Sequence, residues 1–353
     1  MHATARARPG DLLPGSEDFA RLTDPFRAEL LAYCYRMLGS VHDAEDQLQE
    51  TLIRAWRSYG GFRGQSSLRT WLYRIATNAC LRALENRARR PLPSGLSGPG
   101  EDTAAQLTAV RPEVPWLQPF PDVRLRAEPD DPASIVASRA GLRLALIAAL
   151  QYLPPRQRAV LILRDVLGWR AGEVAQLLDS TTAAVNSVLQ RARAQLDRVA
   201  PAEDELREPD DPAGRVLLDR YAAAFQDADI GALMQLLRED AVLEMPPQPT
   251  WFAGREQVGS FLAAQVLREP GRFLLTAVAA NGQPALAGYA PGQDGVYRAH
   301  GIQVLTICGP GVARIVSFND PGLFPAFGLP PALAPGSTPG QPPRRMTDDT
   351  GNW

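Results

Sequence analysis

The chain has 353 residues, of which 45% are hydrophobic and 22% charged, and it holds no uninterrupted apolar run long enough to cross a bilayer, which argues against an integral membrane protein. With 29 glycines, 32 prolines and 7% aromatics, it suits two or three modest cores joined by irregular segments better than one large enzyme core. Its net charge of −2 conceals a strong segregation, and its three cysteines, Cys34, Cys80 and Cys308, lie far apart with no Cys or His partner at metal-ligand spacing, so neither a disulfide framework nor a metal or cofactor site is expected.

None of the 37 basic residues is a lysine. Arginine is the head group suited to forked contacts with phosphate and guanine, although a GC-rich genome would also favour it. Such a genome would not explain the distribution. Residues 1–90 carry 14 arginines against 10 acids, 91–133 carry 3 against 7, 134–200 carry 9 against 4, and 201–353 carry 11 against 18. Two basic blocks with an acidic spacer and an acidic tail domain are the footprint of a nucleic-acid binder with an appendage.

The N-terminal MHATARARPGDLL has basic residues but no apolar segment after them, so no secretory signal is read and the cytoplasm is the expected location. From Ala44, Leu48, Leu52 and Ala55 form one helical face while Asp43, Asp46 and Glu50 gather on the other. After a glycine-containing break at 59–64, a second helix begins near Ser67. It has Leu72, Ile75, Ala76, Ala79 and Ala83 inward, Arg74, Asn78, Arg82 and Glu85 outward, and Trp71 and Tyr73 near its start. A basic, amide-bearing face with aromatics at its mouth can hold phosphate and stack on an unpaired base. An ordinary bundle with a solvated charged face would look the same, with Trp56 and Trp71 as core.

The segment 91–132 is rich in Pro, Gly and Ser and is expected to be extended. The hexapeptide Glu-Pro-Asp-Asp-Pro-Ala occurs at 128–133 and again at 208–213, each copy marking a linker that ends at a helix start. Beyond Leu153-Pro154-Pro155, the run Ala171–Leu178, a turn at Asp179–Thr181 and Thr182–Val199 match a helix-turn-helix. Ala175 sits where the helices touch, and Val174, Leu178, Val185, Leu189 and Leu196 have core spacing. Thr182, Asn186, Ser187, Gln190, Arg191 and Arg193 form its open face, where amides can pair with adenine and guanidinium groups with guanine or phosphate.

DAEDQLQETLIRAWR (43–57), FRGQSSLRTWLYRIATNACLRALENRARR (62–90), LPPRQRAVLILRDVLGW (153–169) and this helix-turn-helix resemble regions 2 and 4 of extracytoplasmic-function (group IV) sigma factors of the sigma-70 family. The resemblance implies that Asp43, Asp46, Gln49, Glu50 and Ile53 dock on core RNA polymerase. It implies that Arg69, Thr70, Trp71, Arg74, Asn78 and Arg82 face the minus-10 element, where a base leaves the stack, and that the helix-turn-helix face reads the minus-35 element. Family members often read Val-Arg-Ser at the start of the recognition helix; here Val185-Asn186-Ser187 implies a different upstream preference. The resemblance also places the acidic linker, with Trp116 and Phe120, along the polymerase's positively lined RNA path as an RNA mimic; a plain spacer is the alternative.

The third body reads as helix, helix, strand (240–246), helix (254–267) and then an antiparallel sheet with an Asn281-Gly282 hairpin. With Trp251-Phe252-x-Gly254-Arg255 it resembles the SnoaL-like, NTF2-like cone, which implies a domain that modulates polymerase binding and has room for a small-molecule ligand. The expected fold class is therefore multi-domain: two all-α sigma domains, a region 2 bundle and a region 4 helix-turn-helix, followed by an α+β cone. The expected boundaries are a 1–24 tail, 25–92 region 2, a 93–133 acidic Pro-rich linker, 134–200 region 4, a 201–212 linker, the 213–328 cone and a 329–353 disordered tail. Two other functions compete, a stand-alone helix-turn-helix regulator and a DNA-tethered isomerase or cyclase using Tyr221, Glu244, His300 or Asp320. The reading favours a non-enzyme, because no two of these form a recognisable pair.

Overall fold

The computed structural model describes residues 16–85, 87–104, 113–125, 141–198 and 211–333. They fall into two compact units, one drawn from 1–89 and 124–200, the other from 90–123 and 201–353.

The first unit is all helical: α1 Ser16–Thr23, α2 Arg27–Leu38, α3 Val41–Ser58, α4 Leu68–Leu84, α5 Leu144–Leu150, α6 Pro155–Leu161, α7 Ala171–Leu177 and α8 Thr182–Leu196. Helix α2 is buried along Leu30–Leu38 and packs on both α3 and α4, which is why its sequence is apolar nearly all round. It stops at Gly39, whose φ of 68° lets its N–H return 2.7 Å to the Tyr35 carbonyl. Helix α3 starts on Ser40 and α4 on Ser67; each hydroxyl accepts from a backbone N–H three residues on, Asp43 at 3.2 Å and Thr70 at 3.0 Å. The region expected as an N-terminal tail is thus helical from Ser16, and Phe19 is buried with its ring 5.5 Å from Tyr59.

The helix-turn-helix core consists of Val174, Ala175 and Leu177 against Val185, Leu189 and Ala192. Leu178 and Leu196, expected in that core, are only partly buried. Leu178 is the cap residue, with ψ 8°, so its side chain leaves the helical stripe that Leu177 completes. Asp179 then turns the chain at φ 49°, a left-handed conformation that aspartate tolerates.

The two helical bodies pack within this unit rather than standing apart on a tether: α4 meets α6 and α7, and α2 meets α5 and α6. Two buried arginines cross the seam. Arg36 donates from Nε to the Gly141 carbonyl at 2.9 Å, while Arg158 donates to the carbonyls of Met37, Gln151 and Leu153 and to Gln151 Oε1. Loss of hydration lowers both guanidinium pKa values to about 10, still far above neutrality, so both stay charged and need those acceptors. Gly141 is required by the close approach, since a Cβ there would lie 2.6 Å from Val166 Cγ1.

The second unit holds α9 Pro212–Gln226, α10 Ile230–Leu236, α11 Arg255–Phe261 and six strands: β1 Leu237–Glu244, β2 Trp251–Ala253, β3 Leu274–Ala280, β4 Gln283–Pro291, β5 Tyr297–Cys308 and β6 Gly311–Phe318. Asp211, within the second hexapeptide copy, caps α9 with Pro212 at the first helical position; the first copy lies outside the described residues. Strand order is β2-β1-β6-β5-β4-β3, with only β1–β6 parallel. Asn281 and Gly282, at φ 59° and 64°, form the two-residue β3–β4 turn. Strand β2 at Trp251–Ala253 was not expected.

The linker is the main departure from expectation, because its described residues pack on this second unit instead of running free. Ser94 N–H donates to buried Glu244 at 2.8 Å, Trp251 Nε1 donates to the Ser97 carbonyl at 2.9 Å, and Gly100 N–H donates to the Trp251 carbonyl at 2.7 Å. Phe120, fully buried, exchanges two 2.8 Å bonds with Asn281, and Gly282 N–H donates to Asp122 at 2.9 Å. Leu92, Pro93, Leu117 and Pro121 are buried alongside. A proline-rich segment has few backbone donors to satisfy, so it can lie on a sheet without a ladder of its own. Residues 330–333, expected in a disordered tail, pair with β5 through Ala299 N–H to the Pro331 carbonyl and Leu333 N–H to the Tyr297 carbonyl, both 2.9 Å. The rest of that tail, from 334, lies outside the described residues.

Candidate functional site

On α3 the buried stripe Val41, Ala44, Leu48, Thr51 and Ala55 leaves Asp46, Gln49 and Ile53 exposed on the outer side. Glu50 stands beside them, ion-paired with Arg54, and Asp43 is largely covered and pairs with Arg87. One residue joins this stripe that sequence reasoning left as potential core: Trp56 is 50% exposed, one turn beyond Ile53, itself 42% exposed. The outer side of α3 thus sets acids beside two exposed large apolar side chains.

The residues expected at the minus-10 element separate into three groups. Thr70, Trp71 and Arg74 line a groove of about 510 Å³ together with Phe62, Arg63 and Ser66 of the preceding loop. Trp71 packs on Phe62 at 4.9 Å between ring centroids. Asn78 and Arg82 are exposed further along α4. Arg69 is turned away, held by Glu29 at 2.9–3.0 Å and lying over the Tyr73 and Trp169 rings at 5.2 and 5.5 Å. Tyr73, expected among the stacking aromatics, is buried core with its ring 5.0 Å from Trp169. Arg74 is occupied in this conformation by Asp179 of the helix-turn-helix turn, at 2.7 and 2.8 Å, and Gln176 and Leu177 close the same groove.

On α8, Thr182, Asn186, Ser187, Gln190 and Arg191 are exposed, and Arg191 donates to the Ser187 hydroxyl at 3.0 Å. Arg193, also exposed, is set apart by a forked pair with Asp165 at 2.7 and 2.9 Å. Helix α8 begins on Thr181, whose hydroxyl accepts from Ala184 N–H at 3.2 Å.

In the second unit the sheet curves around a cavity of about 250 Å³. Tyr221 and His300 line it, whereas Glu244 and Asp320 do not. Glu244 is on the opposite face of β1, bound to Arg314 and Ser94, and Asp320 caps the turn Pro321–Phe327 through Gly322 N–H at 2.9 Å. His300 is the extra residue of a bulge, since Tyr289 pairs with Ala299 and Gly288 with Gly301. That bulge turns His300 to the cavity rim, which strict alternation along the strand could not foretell. Burial and then Arg272 hold its pKa below the ordinary histidine value. Among the described residues no group of His, Cys, Asp and Glu is placed to hold a metal.

A helical bundle with an acidic, partly apolar outer stripe and an aromatic groove, a helix-turn-helix and an appended cone are the parts of a promoter-reading transcription subunit with a built-in accessory domain, and the comparisons with known proteins show that class. Residues 22–90 match the Sigma-70 region 2 family, 143–196 Sigma-70 region 4, and 218–315 the SnoaL-like domain. The chain is 52% identical over 318 residues to the ECF RNA polymerase sigma factor SigG of Mycobacterium tuberculosis, covering 90% of this chain and 85% of that protein. It is 28% identical over 295 residues to SigJ of the same organism, covering 80% and 85%. The crystal structure of that SigJ shares the fold, with a TM-score of 0.59 at 24% identity over 88% of this chain and 100% of SigJ. The chain belongs to the extracytoplasmic-function RNA polymerase sigma factors, in a form that carries a C-terminal SnoaL-like domain.

Proposed function

We propose that this sigma factor binds core RNA polymerase through the outer stripe of α3, opens the minus-10 element in the groove beside Trp71, reads the minus-35 element with α8, and is modulated by its cone. It works on polymerase and promoter DNA and leaves phosphodiester chemistry to the polymerase. The observation that carries the reading is the separation of three exposed faces on α3, α4 and α8 of one helical unit, each bearing the side chains its partner needs. The acidic stripe and aromatic groove are features that a stand-alone helix-turn-helix regulator would not need.

Two details support the modulatory role of the cone. The linker that the family resemblance routes along the RNA path is held against the sheet by Glu244, Trp251 and Asn281. The cavity is lined by Tyr221 and His300 but by no carboxylate that could pair with either, which weakens the proton-transfer alternative and suits a sensing domain. No described helix is long and apolar enough to cross a membrane, and a partner of polymerase works in the cytoplasm. The test is Asp46→Arg with Glu50→Arg. Loss of binding to core polymerase in a protein whose melting is unchanged supports the reading, and undiminished binding contradicts it.

A further inference from the structure

The cavity is lined by both aromatic and polar side chains. Phe225, Phe261, Phe273 and Tyr221 present aromatic surface, with Phe225 packed 5.6 Å from Phe273 and 5.9 Å from Tyr221 between ring centroids. Leu243 and Ile315, neighbours on β1 and β6, line it as well. At about 250 Å³ it lies below the range of roughly 300–1,000 Å³ for drug-sized ligands. At interior packing density it fits a planar system of about two fused rings.

The character of the polar lining is set by the orientation of two amides. Tyr221 OH donates to Gln303 Oε1 at 3.2 Å, and Ser317 Oγ donates to Asn319 Oδ1 at 2.9 Å. Gln303 and Ser317 are direct cross-strand partners on β5 and β6, so the two amides stand together. Both amide oxygens are therefore engaged, and neither NH₂ group has a hydrogen-bond partner among the described residues. Gly301 makes room for this cluster, because a Cβ there would lie 2.6 Å from the Phe318 carbonyl and 3.1 Å from Asn319 Oδ1. Two donors with no acceptor between them call for a ligand that brings acceptor oxygens. The charge around them has one sign: Arg272 stands at the mouth and no Asp or Glu lines the cavity. His300 at the rim can carry no negative charge, so it does not oppose Arg272.

We infer that the cone cavity binds a small aromatic carboxylate, its rings against Phe225, Phe261 and Phe273 and its carboxylate on the amides of Gln303 and Asn319. This deepens the reading of the cone as a modulatory domain. Gln265, which lines the same cavity, donates to the linker carbonyl of Ala104 at 3.1 Å, giving the occupied cavity a direct line to the linker.

Calorimetry on the full-length chain with three probes of matched bulk tests the inference: 2-naphthoate, 2-acetylnaphthalene and 2-isopropylnaphthalene. Naphthoate should bind at least about tenfold tighter than the isopropyl compound, as expected for hydrogen bonds to a charged acceptor. Gln303→Glu keeps an acceptor for Tyr221 OH but faces the ligand with a carboxylate. It should cut naphthoate affinity about tenfold or more while leaving the isopropyl compound unchanged. Asn319→Asp gives the same readout through the second donor, should the first variant melt early. Equal affinity for naphthoate and the ketone, equal affinity for all three probes, or no binding would each overturn the assignment. Because the readout is binding alone, naphthoate binding that leaves transcription unchanged would count against the modulatory role of the cone without touching the ligand class.

Discussion

Burial separates Arg158, a structural arginine, from Arg74, for which a role at the minus-10 element is proposed. Arg158 is 3% exposed and satisfies three backbone carbonyls, that of Met37 across the seam of the helical unit and those of Gln151 and Leu153 on its own side. Arg158→Leu strands those acceptors, at about 1–3 kcal/mol for each group left unsatisfied, so a clear fall in the urea midpoint is expected. Arg74 is half-exposed, and its pair with Asp179 has the strength of a surface ion pair, about 0–1 kcal/mol. Arg74→Ala should therefore leave the midpoint almost unmoved while promoter opening, followed by permanganate footprinting of the minus-10 region, drops severalfold. Sequence periodicity placed Arg74, Asn78 and Arg82 on the exposed side of α4. It could not tell that Arg69 serves Glu29, because that pairing joins residues 40 positions apart.

Helical elements were the most legible part of the chain because their signals are local. Ser67 and Thr181 announce their helices, and the 3.6-residue period locates the buried stripes of α3, α4 and α8. The Asn281-Gly282 turn was equally plain. The bulge at His300 and strand β2 were hidden, since both depend on which strand lies alongside. On α3, Trp56→Ala should weaken core-polymerase affinity about tenfold or more without loss of stability, measurable by fluorescence anisotropy, because an exposed aromatic beside acids behaves as an interface anchor. On α8, Asn186→Ala should relax the preference at one base pair by about 1–3 kcal/mol, read by selection from randomised minus-35 sites. Arg191→Ala should instead lower affinity for all sites alike and reduce the salt slope by about one.

At the scale of the molecule, composition predicted the segregated charge but not the fate of the acidic linker. A proline-rich run reads as a free tether when nothing shows which surface will receive it. Its anchors, Glu244, Trp251 and Asn281, lie more than a hundred residues away in sequence. The Phe120 amide, bonded to Asn281 Oδ1 in a fully buried setting, should exchange with deuterium far more slowly than amides of an open linker. Asn281→Ala, which removes that acceptor, should release it.

The most direct test of the central claim is co-migration of the purified chain with core RNA polymerase in gel filtration, followed by transcription from the same fraction. The account predicts one complex that starts RNA at defined sites, and free migration of a variant carrying Asp46→Arg, Glu50→Arg and Trp56→Ala. A wild-type chain that elutes alone, or a variant that rides with polymerase as firmly as wild type, would contradict it.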